Sequence, residues 1–137
     1  NSSEAFLSIN CLDYVSDGDP ETMRAEAAVL AEQAPIFGPP MSFGGSLCTQ
    51  WPFPSQKERR EIQAPGSPDI LVVGTTGDPA TPYAWAEALA AQLERGHLVT
   101  YRGEGHTAYG QSVCVTDVVD AFFIDGTVPA ADPHCTR

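Results

Sequence analysis

The sequence is poor in positive charge. Lysine and arginine number 7 against 18 aspartates and glutamates, a formal net charge of −11. Nucleic acid and anionic membrane surfaces both demand a basic face, so neither is expected as a partner. The surplus acids are read as solvating the surface. Long apolar runs are absent, and none reaches the length of a membrane-spanning helix. No C-x-x-C pair occurs among Cys11, Cys48, Cys114 and Cys135, which leaves zinc ribbons and thioredoxin-like motifs unsupported. His97 and His134 have no partners at metal-ligand spacing, so neither a metal nor a cofactor is expected. The chain starts at Asn1 without an initiator methionine or a basic-then-apolar leader, and is read as processed, trimmed or excerpted.

What is present suits one ordinary domain: 137 residues, of which 42% are hydrophobic, can bury a core. An even cysteine count fits two disulfides in an oxidising compartment, outside the cell or in its envelope. Of the three possible pairings, Cys11 with Cys48 and Cys114 with Cys135 is favoured, because each is local to one half of the chain. The tail after Gly126 is long enough to return beside a preceding helix of about 18 Å. Such a bond contributes about 2–4 kcal/mol by loop closure, a structural role.

Ala5 to Ile9 is a short apolar run that reads as a strand or a packed extended segment. Asp19-Pro20 is a helix start, and Met23, Ala27, Leu30, Ala31 and Ala34 follow at helical spacing until Pro35. From Pro35 to Pro68, prolines and glycines exclude long regular elements, with Trp51, Phe53 and Phe43 as apolar anchors. Lys57–Glu61 is a candidate short charged helix. Beyond Pro68, Ile70–Val73 reads as a strand covered on both faces. Thr81-Pro82 opens a helix to about Arg95, with Trp85, Ala86, Leu89, Ala90 and Leu93 in one stripe, and Gly96 ends it. Leu98–Tyr101 is the next strand. A last helix runs from about Ser112, with Val115, Val118, Val119 and Phe122 on one face, to a stop at Gly126. Strand, helix, strand, helix with short links is the grammar of a parallel sheet. Two strands leave an edge bare, so this half reads as one flank of a larger α/β domain.

In open parallel sheets, sites form beyond the carboxyl ends of the strands. Asp78 follows one strand and His106 the next, which places both on the same edge of the sheet. Adjacent strands lie about 4.8 Å apart, close enough for the side chains to meet. A carboxylate on one imidazole nitrogen fixes the tautomer and leaves the other to take a proton from a hydroxyl. Gly74, Gly77, Gly103 and Gly105 would let the two loops turn sharply. Each signal alone has a plainer reading, a turn or helix cap for Gly-Asp-Pro and an idle loop histidine for His106. Together they follow the Ser…Asp…His chain order of the α/β-hydrolases.

The segments VVGTTGDPATPYAWAEALAAQL, LVTYRGEGHTAYG and CVTDVVDAFFIDGTVP resemble the C-terminal region of secreted tripeptidyl-aminopeptidase-like α/β-hydrolases. The earlier INCLD and LCTQWPFP resemble the segment just before it, so the resemblance covers nearly the whole chain. It implies a serine exopeptidase, related to prolyl aminopeptidases, with Asp78 and His106 as triad acid and base. Residues 1–68 would be the end of the lid over the sheet, and residues 69–137 the C-terminal part of the α/β-hydrolase core. Asp13 would lie near the substrate's free amine, where its carboxylate could form an ion pair; a turn-capping aspartate is its plainer identity.

No nucleophile elbow of the G-x-S-x-G form is present. Gly44-Gly45-Ser46-Leu47-Cys48 lacks the final glycine and lies in the proline-rich stretch, so Ser46 reads as a loop serine. Chain order places the serine upstream of Asn1, on an N-terminal portion of the same enzyme. This chain would then be inactive alone and active with that partner, acting on peptide substrates. Tyr109 and Tyr83 flank the site loops, and Tyr109 is a candidate substrate-binding residue. Glu104 is a candidate for amine binding, with an exposed loop acid as its plainer reading. Two alternatives stand beside the peptidase: an esterase or lipase of the same fold, and a secreted, non-catalytic binding module derived from a hydrolase.

Overall fold

A computed structural model describes residues 2–58 and 60–137. The chain divides into two compact units, Asn1–Arg60 and Glu61–Arg137. The second takes in residues 61–68, which composition alone groups with the first. Hydrogen bonds tie this stretch down: Gln92 Nε2 donates to the Ile62 carbonyl, and Glu94 N to the Gln63 carbonyl at 2.8 Å.

The first unit is helical. Helix α1 spans Ser2–Asp13, α2 Pro20–Gln33, α3 Gly38–Met41 and α4 Ser46–Thr49. The apolar run Ala5–Ile9 is therefore helix, not strand. A run this short carries no period that separates the two. Here Ser8 Oγ and Asn10 Nδ2 donate to the carbonyls of Glu4 and Phe6, each one turn back. A disulfide joins Cys11 on α1 to Cys48 on α4 across a Cα separation of 5.0 Å. Asp19 caps α2 as its sequence indicates, its carboxylate accepting from Thr22 N at 2.8 Å and Thr22 Oγ1 at 2.9 Å. Lys57–Glu61 forms no helix among its described residues; so short a segment needs packing to stay helical.

The second unit holds a parallel sheet of β1 (Ile70–Gly77), β2 (Gly96–Glu104) and β3 (His134–Cys135), in that spatial order. Helix α5 (Tyr83–Gln92) links β1 to β2, and α6 (Val113–Asp125) follows β2. Helix α5 seats directly on β1 at Gly74, where a Cβ would lie 2.8 Å from that of Ala86. That contact turns Tyr83, Ala86, Ala90 and Leu93 toward partial burial and leaves Trp85 and Leu89 exposed. The expected stripe is thus split between two faces. Nor is β1 covered on both faces by the described residues, since Val73 is 37% exposed; among them it also stands at the edge of the sheet.

Beyond β2, a buried cluster of Tyr101, Ala108, Val115 and Cys135, with Val119 against it, joins the sheet to α6. Gly126 ends α6 at φ 70°, its N–H and that of Thr127 reaching back to the Phe122 and Ala121 carbonyls. Strand β3 has no sequence signature, since two residues carry no alternation. A second disulfide, Cys114–Cys135, bonds it to the first turn of α6.

Candidate active site

The two strands of the β1–β2 pair run in simple register from Ile70 opposite Gly96 to Thr75 opposite Tyr101, and then slip so that Gly77 faces Glu104. A bulge of this kind re-aims whatever follows it. Thr76 stitches it, its hydroxyl donating to the Gly103 carbonyl at 3.3 Å and accepting from Gly103 N at 3.2 Å. Of the four glycines expected to turn the loops, Gly105 does so, at φ 102°. Gly74, Gly77 and Gly103 lie within the strands and serve close packing instead: a Cβ on Gly77 would meet the Glu104 carboxylate, and one on Gly103 the Tyr101 ring.

The chain leaves β1 into Asp78, whose carboxylate is then wrapped by its own loop. Oδ1 accepts from Ala80 N at 2.8 Å and Thr81 N at 2.9 Å, and Oδ2 accepts from Thr81 Oγ1 at 2.8 Å. His106, at the end of β2, brings Nδ1 to 2.9 Å from Oδ2 and 3.1 Å from Oδ1. The Thr81 hydroxyl also stands 3.4 Å from Nδ1. The donors, with Thr81 N foremost and His106 next among the hydrogen bonds, hold the Asp78 carboxyl well below the usual carboxylate range against the opposing effect of burial. Its side chain is 4% exposed, whereas that of His106 is 54% exposed. Among the described residues, Nε2 of His106 makes no hydrogen bond. The pair is therefore a buried anion holding one edge of an open imidazole, arranged so that the other edge can exchange a proton with a group from outside.

Beside the pair lies a groove of about 420 Å³ lined by Val72, Val73, Trp85, Leu89 and Tyr109, among others. Tyr109 donates its hydroxyl to Asp120 on α6 at 2.8 Å, and that bond raises the phenol's pKa. Its ring is thereby fixed as part of the groove wall. Asp13 belongs to the first unit, where its carboxylate pairs with the Lys57 ammonium. Ser46 is exposed on α4. Tyr83 is a packing residue, its hydroxyl 2.6 Å from Thr100 Oγ1. Glu104 lies over Gly77.

Thr81 was legible from sequence only as a helix start, yet it makes two of the bonds that fix Asp78. A signal for it does exist. Asp78-Pro79-Ala80-Thr81 repeats the D-P-x-T pattern of Asp19-Pro20-Glu21-Thr22, whose carboxylate takes the same two donors from its threonine.

A family model described as TAP-like protein matches residues 34–135. The chain belongs to the TAP-like family. Its parallel sheet and flanking helices are the C-terminal part of an α/β-hydrolase fold. Over 143 residues it is 36% identical to the serine protease Hip1 of Mycobacterium tuberculosis, covering 98% of this chain and 26% of that protein. It is 33% identical over 139 residues to carboxylesterase B of the same species, again covering 98% and 26%. With the tripeptidyl aminopeptidase of Streptomyces lividans the identity is 26% over 137 residues, at the same coverage of 98% and 26%. This TAP-like chain thus spans about a quarter of the length of these relatives.

Proposed function

We propose that this chain supplies the acid and base of a serine hydrolase whose complete form is an aminopeptidase releasing short peptides, tripeptides in particular, from free amino termini. The observation that carries the reading is the Asp78–His106 contact through Nδ1, with Nε2 left open. Asp78 holds the tautomer with its proton on Nδ1. Nε2 takes the proton of a serine hydroxyl as that oxygen bonds to the substrate carbonyl carbon. The protonated imidazole then gives this proton to the departing amine, leaving an acyl ester on the serine. Water, deprotonated by the same nitrogen, cleaves the ester and returns the serine hydroxyl.

The serine belongs, in this proposal, to an N-terminal portion of the same enzyme. Its seat is the groove beside the pair. There β1 is an edge strand among the described residues, and Val73, Leu89 and Trp85 leave apolar surface uncovered. Such a surface suits a further strand and helix of the same fold, and it is continuous with the imidazole the serine must reach. The relatives, about four times as long, have room for that portion. By itself the chain is expected to be inactive. The two disulfides support a secreted or cell-envelope setting.

In the complete enzyme, His106→Ala and Asp78→Asn are each expected to lower kcat by about four orders of magnitude; near-normal turnover overturns the assignment. The substrate class is read by comparing tripeptidyl amides with free and acetylated amino termini against simple esters. Cleavage confined to the free-amine amides is the expected result. Hydrolysis of esters alone would turn the assignment to a carboxylesterase, a reading favoured by the relative of that name and by the apolar groove. No hydrolysis at all, with no serine-bearing companion in an intact-mass measurement, would leave a binding module.

A further inference from the structure

The loop carrying His106 leaves β2 at Glu104 and enters α6 at Val113, and residues 132–136 are tied both to β2, three to four residues before the loop, and to the loop's α6 end. On β2, Thr100 and Tyr101 pair with His134 and Cys135. Thr100 N donates to the Pro133 carbonyl at 2.9 Å, and Thr100 Oγ1 sits 3.0 and 3.1 Å from the two Asp132 carboxylate oxygens. At the α6 end, Ser112 Oγ donates to the Thr136 carbonyl at 2.6 Å, and Cys114 is bonded to Cys135. Ser112 holds the N-cap position of α6, where a serine hydroxyl ordinarily accepts from the helix's own N–H groups. Here it makes no such bond and donates to the tail instead. Between the two ends, Ala108, two residues past His106, shares a buried cluster with Cys135, which is 1% exposed.

We propose that the C-terminal segment 132–136, locked by the Cys114–Cys135 disulfide, is a positioning clamp for the His106 loop and acts on catalysis by setting the imidazole against Asp78. The inference rests on the catalytic reading of that pair. The loop needs such a device. Within six residues it has three left-handed positions, Gly105 at φ 102°, Thr107 at 69° and Gly110 at 81°. Thr107 is branched and pays a steric penalty there, which persists only where the surroundings over-determine the conformation. The imidazole itself is half exposed, so its bonds to the Asp78 loop and the path of its backbone are what place it. Catalytic groups must be held to within about 0.5 Å of their working geometry.

The test uses the complete enzyme, this chain with the serine-bearing portion, carrying Cys114→Ala together with Cys135→Ala. The expected result is a kcat at least tenfold lower with KM within twofold. The ¹⁵N ring signals of His106 should also lose the pattern of a single Nδ1–H tautomer while circular dichroism is unchanged. Should the double variant not fold, Ser112→Ala decides: it keeps the disulfide, removes one tie, and is expected to lower kcat severalfold with the same ring-signal change. Wild-type kcat and ring signals in a folded variant overturn the clamp, as does a loss that falls on KM alone. Failure of the catalytic reading shows differently, as turnover that survives His106→Ala.

Discussion

The D-P-x-T tetrapeptide occurs twice, and the two copies separate a structural carboxylate from a reactive one. At Asp19 the threonine's N–H and hydroxyl cap α2, with the Glu21 N–H adding to them. At Asp78 the same two donors leave the carboxylate able to receive His106 as well. Both carboxyls lie below their ordinary range for the same first reason, the threonine N–H. Acidity alone therefore does not mark the site; the imidazole arriving from the next strand does. At this scale Thr81 has a definite task. Its hydroxyl orients Oδ2, the oxygen nearer to Nδ1. Thr81→Val should lower kcat of the complete enzyme about ten- to a hundredfold with KM little changed, since displacements near 1 Å cost about that much. Thr81→Ser, which keeps the hydroxyl, should restore most of it. Steady-state kinetics on both variants checks this, and a Thr81→Val enzyme with wild-type kcat would remove the hydroxyl from the mechanism.

Helix α5 depends on one missing side chain. Gly74 lets it approach β1 until the Ala86 methyl and Tyr83 ring fill the space of a Cβ. Gly74→Ala should push the helix off the strand and destabilise the second unit by about 1–3 kcal/mol, the usual cost of overpacking. A denaturant midpoint that falls with unchanged slope is the expected reading; an unchanged midpoint would mean that α5 is seated elsewhere. The same contact explains which parts of the fold were legible in sequence. Caps and stops were, because Asp19-Pro20 and Gly126 act within one turn of themselves. Helix α5 itself was legible, but not which side of its stripe meets the sheet: Trp85 and Leu89 are as apolar as Ala86 and Ala90, and only the fit at Gly74 distinguishes them. Helix α1 and strand β3 were not, the first lacking a diagnostic period and the second too short to have one. The meeting of Asp78 with His106 was legible because chain order in a parallel sheet puts consecutive strand ends side by side. The Asp120 partner of Tyr109 was not, because no period or spacing between elements announces a hydrogen bond, and the role of Thr81 was carried only by the D-P-x-T repeat.

Across the whole β1–β2 pair, an aspartate and a histidine meet at each end. Beyond the carboxyl ends are Asp78 and His106; at the opposite ends, Asp69 holds His97 Nε2 at 2.7 Å and is gripped by Arg95 as well, through Nε at 3.2 Å and through Nη2. What separates them is what the carboxylate is left to do. Asp69 is shared with a guanidinium, which with His97 draws it down to about 2. His97 is spent on it through Nε2, whereas the groove described above is lined by His106 and not by His97. Among the described residues no guanidinium or ammonium bonds to the Asp78 carboxylate, and the outward nitrogen of His106 stays open. The pair at the strand starts is accordingly a clip that fixes where β1 and β2 begin, and its contribution has a defined pH window. A carboxyl whose folded pKa is depressed stabilises the fold above its unfolded value, about 3.9, and loses that contribution as pH falls toward about 2. Asp69→Asn should thus lower the denaturant midpoint at pH 7, and the gap to wild type should close between about pH 4 and pH 2. Urea titrations of both proteins across that range test it. A gap that stays constant through the window would show that the Asp69 charge does not stabilise the fold, whatever its hydrogen bonds do.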